Sequence, residues 1–213
     1  MARKPTTSSY AVLALLDLKP WTGYELTIQA QRSLTYAWPK SVRLLYSEPK
    51  KLVDLGYATT YKESVGKRSR NVYEITDEGR AALKEWMAMR SQPPRIEVEA
   101  LLRVLFADQG TVEELRVVLE GLEDDIGQRH DSVVALMASY LEGSHPFPER
   151  THLSVLFATF QLEMFQSIER WIDFAQSEID EWPSTGGLGM NKRTEELTRL
   201  LADDVSPVNR DHP

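Results

Sequence analysis

Apolar positions between Ser8 and Asp17 are crowded: Tyr10, Val12, Leu13, Leu15 and Leu16 leave no polar stripe. That density predicts a short helix buried on most sides, ended where Pro20 restricts Lys19. Thr22 stands three residues before Glu25, the spacing of a capping box, and predicts a second helix from about Gly23 to Gln31. After "AWPKS" a third helix is expected from Lys40 or Ser41 to about Leu55, with Leu44, Leu45, Leu52 and Leu55 inward and Gly56 as its closing glycine. "YATTYKE" and "NVYEIT" are rich in aromatic and β-branched residues and are separated by "SVGKRS", which predicts a β-hairpin. Thr76 followed by Asp77 and Glu78 predicts a fourth helix running through Leu83 and Trp86 to about Arg90.

"SQPPR", residues 91 to 95, is incompatible with a helix and marks a boundary. Beyond it "EVEALLRVLFAD" reads as a helix ended by Gly110. A longer one starts at Thr111, and its apolar positions Val112, Leu115, Leu119, Leu122, Ile126, Val133, Leu136 and Tyr140 step by three and four like a heptad seam, with Arg129 the sole interruption at a seam position. "EGSHPFPE" breaks this run, and a last helix from about His152 to Glu181 carries a broad apolar face that includes Leu156, Phe157, Phe160, Met164 and Trp171. From Pro183 onward the chain is expected to be irregular and disordered apart from a short helix at Lys192 to Leu201. The domain expectation is therefore residues 1–92, 93–182 and a tail, 183–213.

Charge sharpens this division. The net charge is −7, but residues 1–90 hold 15 Lys and Arg against 9 Asp and Glu, whereas residues 91–213 hold 10 against 23. A basic first part on an acidic remainder is the asymmetry expected when only one part meets a polyanion. There is no cysteine, which excludes disulfides, thiolate catalysis and cysteine-based metal sites and fits a reducing, cytoplasmic setting. The four histidines lack the paired spacing of a zinc site, so no metal is expected. No nucleophile elbow, phosphate-cradling loop or dinucleotide fingerprint is present, so neither an enzyme nor a cofactor is expected.

Three helices, a basic ribbon and a further helix in that order describe a winged helix-turn-helix, whose third helix enters the major groove while the wing touches the neighbouring backbone. The overall expectation is a mainly α fold with a small β-hairpin: an N-terminal winged domain, then a helical, coiled-coil-like dimerisation domain. Candidate contacts with double-stranded DNA are Thr22, Lys40, Ser41, Arg43, Tyr46, Ser47 and Lys50, with Lys67, Arg68, Ser69 and Arg70 at the wing tip. A solvated, edge-protecting turn would also place charges there. Glu48 would repel phosphate unless it points away from it. The candidate dimer face comprises Val112, Leu115, Leu119, Leu122, Ile126, Val133, Leu156, Phe157, Phe160, Met164 and Trp171; Trp38, Trp86, Phe157 and Trp171 are candidate walls of a pocket for a small apolar effector.

The runs "AVLALLDLKPWTGYEL" and "AWPKSVRLLYSEPKKLVDLGYATTYKESVGKRSRNVYEITDEGRAAL" resemble the N-terminal domain of PadR-like transcriptional regulators. Gly23-Tyr24-Glu25, Trp38, Leu45-Tyr46, Gly56 and Tyr73 to Gly79 fall in the family's order, and "EALLRVLFADQGTVEELRVVLEGLEDDI" looks like the virulence-activator-type helical C-terminal region of one branch. The resemblance implies a homodimeric, usually repressing regulator of an inverted-repeat operator, in some members responsive to an apolar or phenolic compound. One departure stands out: many relatives have proline directly after the tyrosine of the third helix, whereas here Ser47 and Glu48 precede Pro49, which predicts a kink. The rival expectation is a winged-helix module that binds a protein or small molecule and never engages DNA.

Overall fold

The computed structural model describes residues 4–34, 42–65, 68–94 and 96–209. The chain divides into two compact units, Met1–Pro94 and Arg95–Pro213.

In the first unit, helix α1 (Thr7–Leu18) opens on a reciprocal cap in which Ser9 N–H donates to Thr6 Oγ1 and Thr6 N–H donates to Ser9 Oγ. Its dense apolar run is buried as expected: Val12, Leu13 and Leu16 are at most 2% exposed. Pro20 stops it, and Trp21 indole Nε1–H donates to the Leu15 carbonyl at 2.7 Å, folding the chain back under α1. Strand β1 (Trp21–Thr22) leads directly into α2 (Gly23–Leu34), then α3 (Val42–Asp54), β2 (Ala58–Val65), β3 (Arg68–Ile75) and α4 (Asp77–Ala88).

The sheet has three antiparallel strands in the order β1-β3-β2, a correction to the expected two-stranded ribbon. β1 pairs Trp21 with Tyr73 and Thr22 with Val72. A two-residue strand has no period for sequence reading to detect, and only its pairing identifies it. α3 ends as the glycine predicted: Gly56 takes φ +75°, Tyr57 N–H reaches the Leu52 carbonyl and Gly56 N–H the Val53 carbonyl, a Schellman closure. Thr76 caps α4 by accepting from Gly79 N–H at 3.0 Å and donates its hydroxyl to the Gly56 carbonyl at 2.8 Å. α4 packs on α1 through stacked Tyr10 and Trp86 rings, 5.0 Å apart and 7° from parallel, and through the Asp17–Arg80 ion pair. Burial pushes the Tyr10 hydroxyl above its ordinary range, with Tyr57 and Glu85 adding to the effect.

In the second unit, α5 (Glu99–Leu105) gives way to a 3₁₀ turn (Ala107–Gln109), and α6 (Val112–Leu141) begins at a capping box between Thr111 and Glu114. α7 (Thr151–Asp180) returns beside α6. The start of α6 meets the end of α7: Leu115, Leu119, Ile172 and Ile179 form a buried cluster, and Arg116 reaches Asp180 at 2.6 Å. The turn between the helices is tied by His145, which accepts from Phe147 N–H at 2.9 Å and lies 3.2 Å from Ser154 Oγ. The short helix expected at Lys192 to Leu201 is α8 (Lys192–Ala202), and residues 183–209 also contain a 3₁₀ turn (Pro207–Asn209). Arg193 joins α8 to Glu178 of α7, and Thr185 hydroxyl donates to the Gly110 carbonyl.

Four residues of the expected dimer seam, Leu115, Leu119, Ile126 and Val133, are thus buried within the chain and offer no surface to a second copy. Leu122, Met164 and Trp171 are half-buried, while Leu156 and Phe160 are 72% and 62% exposed. A sequence of threes and fours shows that a helix has an apolar seam, and not which helix covers it.

Candidate nucleic-acid interface

The third helix carries two opposed rows. Glu48, Pro49 and Leu52 face inward, at 4% exposure or less, while Tyr46, Ser47 and Lys50 face solvent. The stagger of three and four along 3.6 residues per turn gathers the second set on one outer face. Pro49 does not interrupt α3: it is buried within a helix continuous from Val42 to Asp54. It has no N–H to return to the carbonyl four residues earlier, and side chains of the same turn give α3 support from α1.

Glu48 is central to that support. Its Oε2 accepts from Ser9 Oγ at 2.6 Å, and Lys51 Nζ lies 3.5 Å from the same oxygen while donating to Ser9 Oγ at 2.9 Å. The carboxylate that would have repelled phosphate therefore points into the domain, paired and hydrogen-bonded as a buried charge must be. Lys51 is spent inward with it, whereas Lys50 is exposed. Tyr46, 48% exposed, lies beside the first turn of α2, its Cδ1 3.9 Å from where a Cβ on Gly23 would stand.

Thr22, expected among the DNA contacts, is instead 6% exposed. Its hydroxyl donates to Glu25 Oε2 at 2.8 Å and accepts from Glu25 N–H at 3.2 Å, completing the capping box. Hydrogen bonds from Thr22 backbone and hydroxyl hold the Glu25 carboxyl below its ordinary range, with Arg70 and Lys19 assisting. A hydroxyl engaged in a helix cap has little left to offer a ligand.

The wing is built by an unbroken ladder from Ala58↔Ile75 to Val65↔Arg68. Ser69, opposite Ser64, is exposed. Arg70 is also at the surface, yet its guanidinium already meets two carboxylates: Nε and Nη2 each lie 2.7 Å from Glu63 Oε2, and Nη1 lies 3.6 Å from Glu25 Oε1. The hydrogen bond to Glu63 raises its pKa still further. Arg43 lies in the first turn of α3 and Arg68 opens β3, with side chains outside the described part of the structure; Trp38, Lys40, Ser41 and Lys67 lie outside the described residues.

The two described tryptophans of the expected effector pocket are each used in packing. Trp86 stacks on Tyr10, and Trp171 packs against the Leu115–Ile179 cluster. Phe157 is 36% exposed.

The family model described as "Transcriptional regulator PadR-like family" matches residues 12–85. Over 179 residues the chain is 28% identical to the negative transcriptional regulator PadR of Bacillus subtilis, covering 81% of this chain and 97% of that one. Among solved structures, Bacillus subtilis PadR in complex with operator DNA superposes with a TM-score of 0.69 at 22% identity, over 82% of this chain and all of that one. The same protein in complex with p-coumaric acid gives 0.63 at 23% identity, over 85% of this chain and all of that one. The Vibrio cholerae virulence activator AphA gives 0.64 at 24%, over 82% and 98%. At these identities the superpositions establish a shared fold: a PadR-type winged helix followed by a long helical region.

Proposed function

From the premise that this chain is a member of the PadR-like family of transcriptional regulators, and not an enzyme, we propose that it is a homodimeric repressor of an inverted-repeat operator. The observation that carries the reading is the two-sided third helix: a buried Glu48–Ser9–Lys51 anchor below, and Tyr46, Ser47 and Lys50 displayed above. These three, with Lys40, Ser41 and Arg43, reach base edges and phosphates in the major groove; Lys67, Arg68 and Ser69 of the wing reach the adjacent backbone. The positive balance of residues 1–90 supports the same orientation toward DNA.

Self-association is assigned to the second unit. Leu153, Leu156, Phe157 and Phe160 are exposed along α7, an apolar surface that a second copy would cover. Two-fold symmetry then sets two third helices on successive major-groove faces, hence an inverted repeat. A small phenolic acid is the effector class we infer; the p-coumaric acid complex of Bacillus subtilis PadR supports it. No helix of the described residues is long and apolar enough to cross a membrane. We assign the protein to the cytoplasm, where its DNA is.

Equilibrium binding to the chain's own upstream DNA and to scrambled DNA of equal length, over a salt series, tests the reading. Tight, salt-steep preference for the native sequence is expected. Equal, weak binding to both would overturn it. Adding p-coumaric acid to the native complex should release DNA.

A further inference from the structure

We propose that Arg70 is a positioning residue that clasps the wing to the first turn of α2, leaving phosphate contact to other cations; this rests on the DNA-binding reading above. The β2–β3 register sets Glu63 directly opposite Arg70. Two guanidinium nitrogens lie 2.7 Å from Glu63 Oε2, and the third is 3.6 Å from Glu25 Oε1. Glu25 divides its carboxylate: Oε2 takes the Thr22 N–H and hydroxyl, each at 2.8 Å, while Oε1 faces Arg70. Thr22 in turn pairs with Val72, two residues along β3 from Arg70. Glu63, Arg70, Glu25 and Thr22 thus link β2, β3, α2 and β1 in one chain of polar contacts that runs from the wing to the first turn of α2.

Arginine suits this place because its planar fork serves two partners at different edges, which a point-like ammonium does not. A DNA phosphate approaching Arg70 would have to displace a carboxylate and would meet the charges of Glu63 and Glu25. The clasp therefore joins the wing to the helix-turn-helix without itself being a phosphate site. Half-exposed ion pairs add little to global stability, so its effect belongs in wing order and DNA binding.

The two roles give opposite signs for Glu63→Gln. If Arg70 binds phosphate and Glu63 competes for it, the variant binds DNA more tightly with a steeper salt dependence. If Arg70 positions the wing, the variant binds several-fold more weakly at an unchanged slope. The experiment compares full-length wild type, Glu63→Gln, Arg70→Lys and Arg70→Ala on a duplex of the upstream DNA over a salt series, together with hydrogen exchange of the DNA-free proteins. We expect Glu63→Gln to weaken binding, Arg70→Lys to be as impaired as Arg70→Ala, and exchange at residues 68–71 and in the first turn of α2 to rise together in Arg70→Ala. Tighter binding by Glu63→Gln would overturn the proposal. So would wild-type affinity in Arg70→Lys with a slope flattened by about 0.9 in Arg70→Ala, the mark of one lost phosphate contact, or unchanged exchange in Arg70→Ala. Wild type lacking preference for its upstream DNA would sink the regulator reading, while the exchange data would still decide the clasp.

Discussion

Ser9 and Glu48, 39 residues apart, meet at 2.6 Å inside the winged domain, the hydroxyl of α1 donating to the carboxylate of α3. Ser9 is fully buried and Glu48 nearly so, and Lys51 closes the group by bonding to both. The contact sets the rotation of α3 about its axis. Glu48→Ala should cost about 2–4 kcal/mol, since it removes the buried carboxylate that Ser9 and Lys51 both meet and leaves the lysine charge without its partner. Glu48→Gln, which keeps an acceptor for Ser9, should cost about 1 kcal/mol. Urea unfolding of the two variants checks the ordering, and equal losses would contradict it.

Gly79 opens α4 against the chain leaving α3. A Cβ there would stand 2.1 Å from the Tyr57 carbonyl oxygen and 2.9 Å from Ile75 Cγ1, so Gly79→Ala forces backbone apart. A loss of about 3 kcal/mol or more is expected, at the upper end of overpacking costs. Gly121, mid-helix in α6, has no such neighbour within 4 Å, and Gly121→Ala should stabilise by about 0.5–1 kcal/mol. Thermal unfolding of both substitutions gives opposite shifts if the close approach is the cause.

Glu25 sets an acid limit on the winged domain. Its folded-state pKa lies below the ordinary value of 4.5, mainly through hydrogen bonds from Thr22. A carboxylate with a depressed folded pKa contributes stability that is fully present above the unfolded value and is lost as pH falls through the folded one. The stability difference between wild type and Glu25→Gln should therefore be constant near neutrality and shrink below pH 4.5. A difference that grows on acidification would reverse the assignment.

Leu119 and Leu156 distinguish the two uses of the helical unit. Leu119 is fully buried between α6 and α7, and Leu119→Ala should cost about 2–5 kcal/mol at any protein concentration. Leu156 is 72% exposed on α7. Under the proposed dimer, Leu156→Glu shifts sedimentation toward the monomer and makes unfolding less dependent on concentration. Retained dimers in Leu156→Glu would move the interface elsewhere.

Local signals carried far in this chain. Caps, closing glycines and prolines act within a few residues, so Thr22 with Glu25, Gly56 and Thr76 located α2, the end of α3 and the start of α4 from the sequence alone. Aromatic and β-branched runs on either side of a turn identified the β2–β3 hairpin, and apolar spacing along the chain identified the long α6 and α7, because side-chain direction follows backbone geometry. The charge division between the two parts of the chain was equally legible. Partner choice was not. That β1 would add to β3, that Glu48 would turn inward to Ser9, that Arg70 would meet Glu63 and Glu25, and that Leu115 and Leu119 would be covered by α7 of the same chain are long-range pairings. Sequence shows which residues need a partner; packing in three dimensions decides which one supplies it, because only there do groups far apart in the chain compete for the same space, charge and hydrogen bonds.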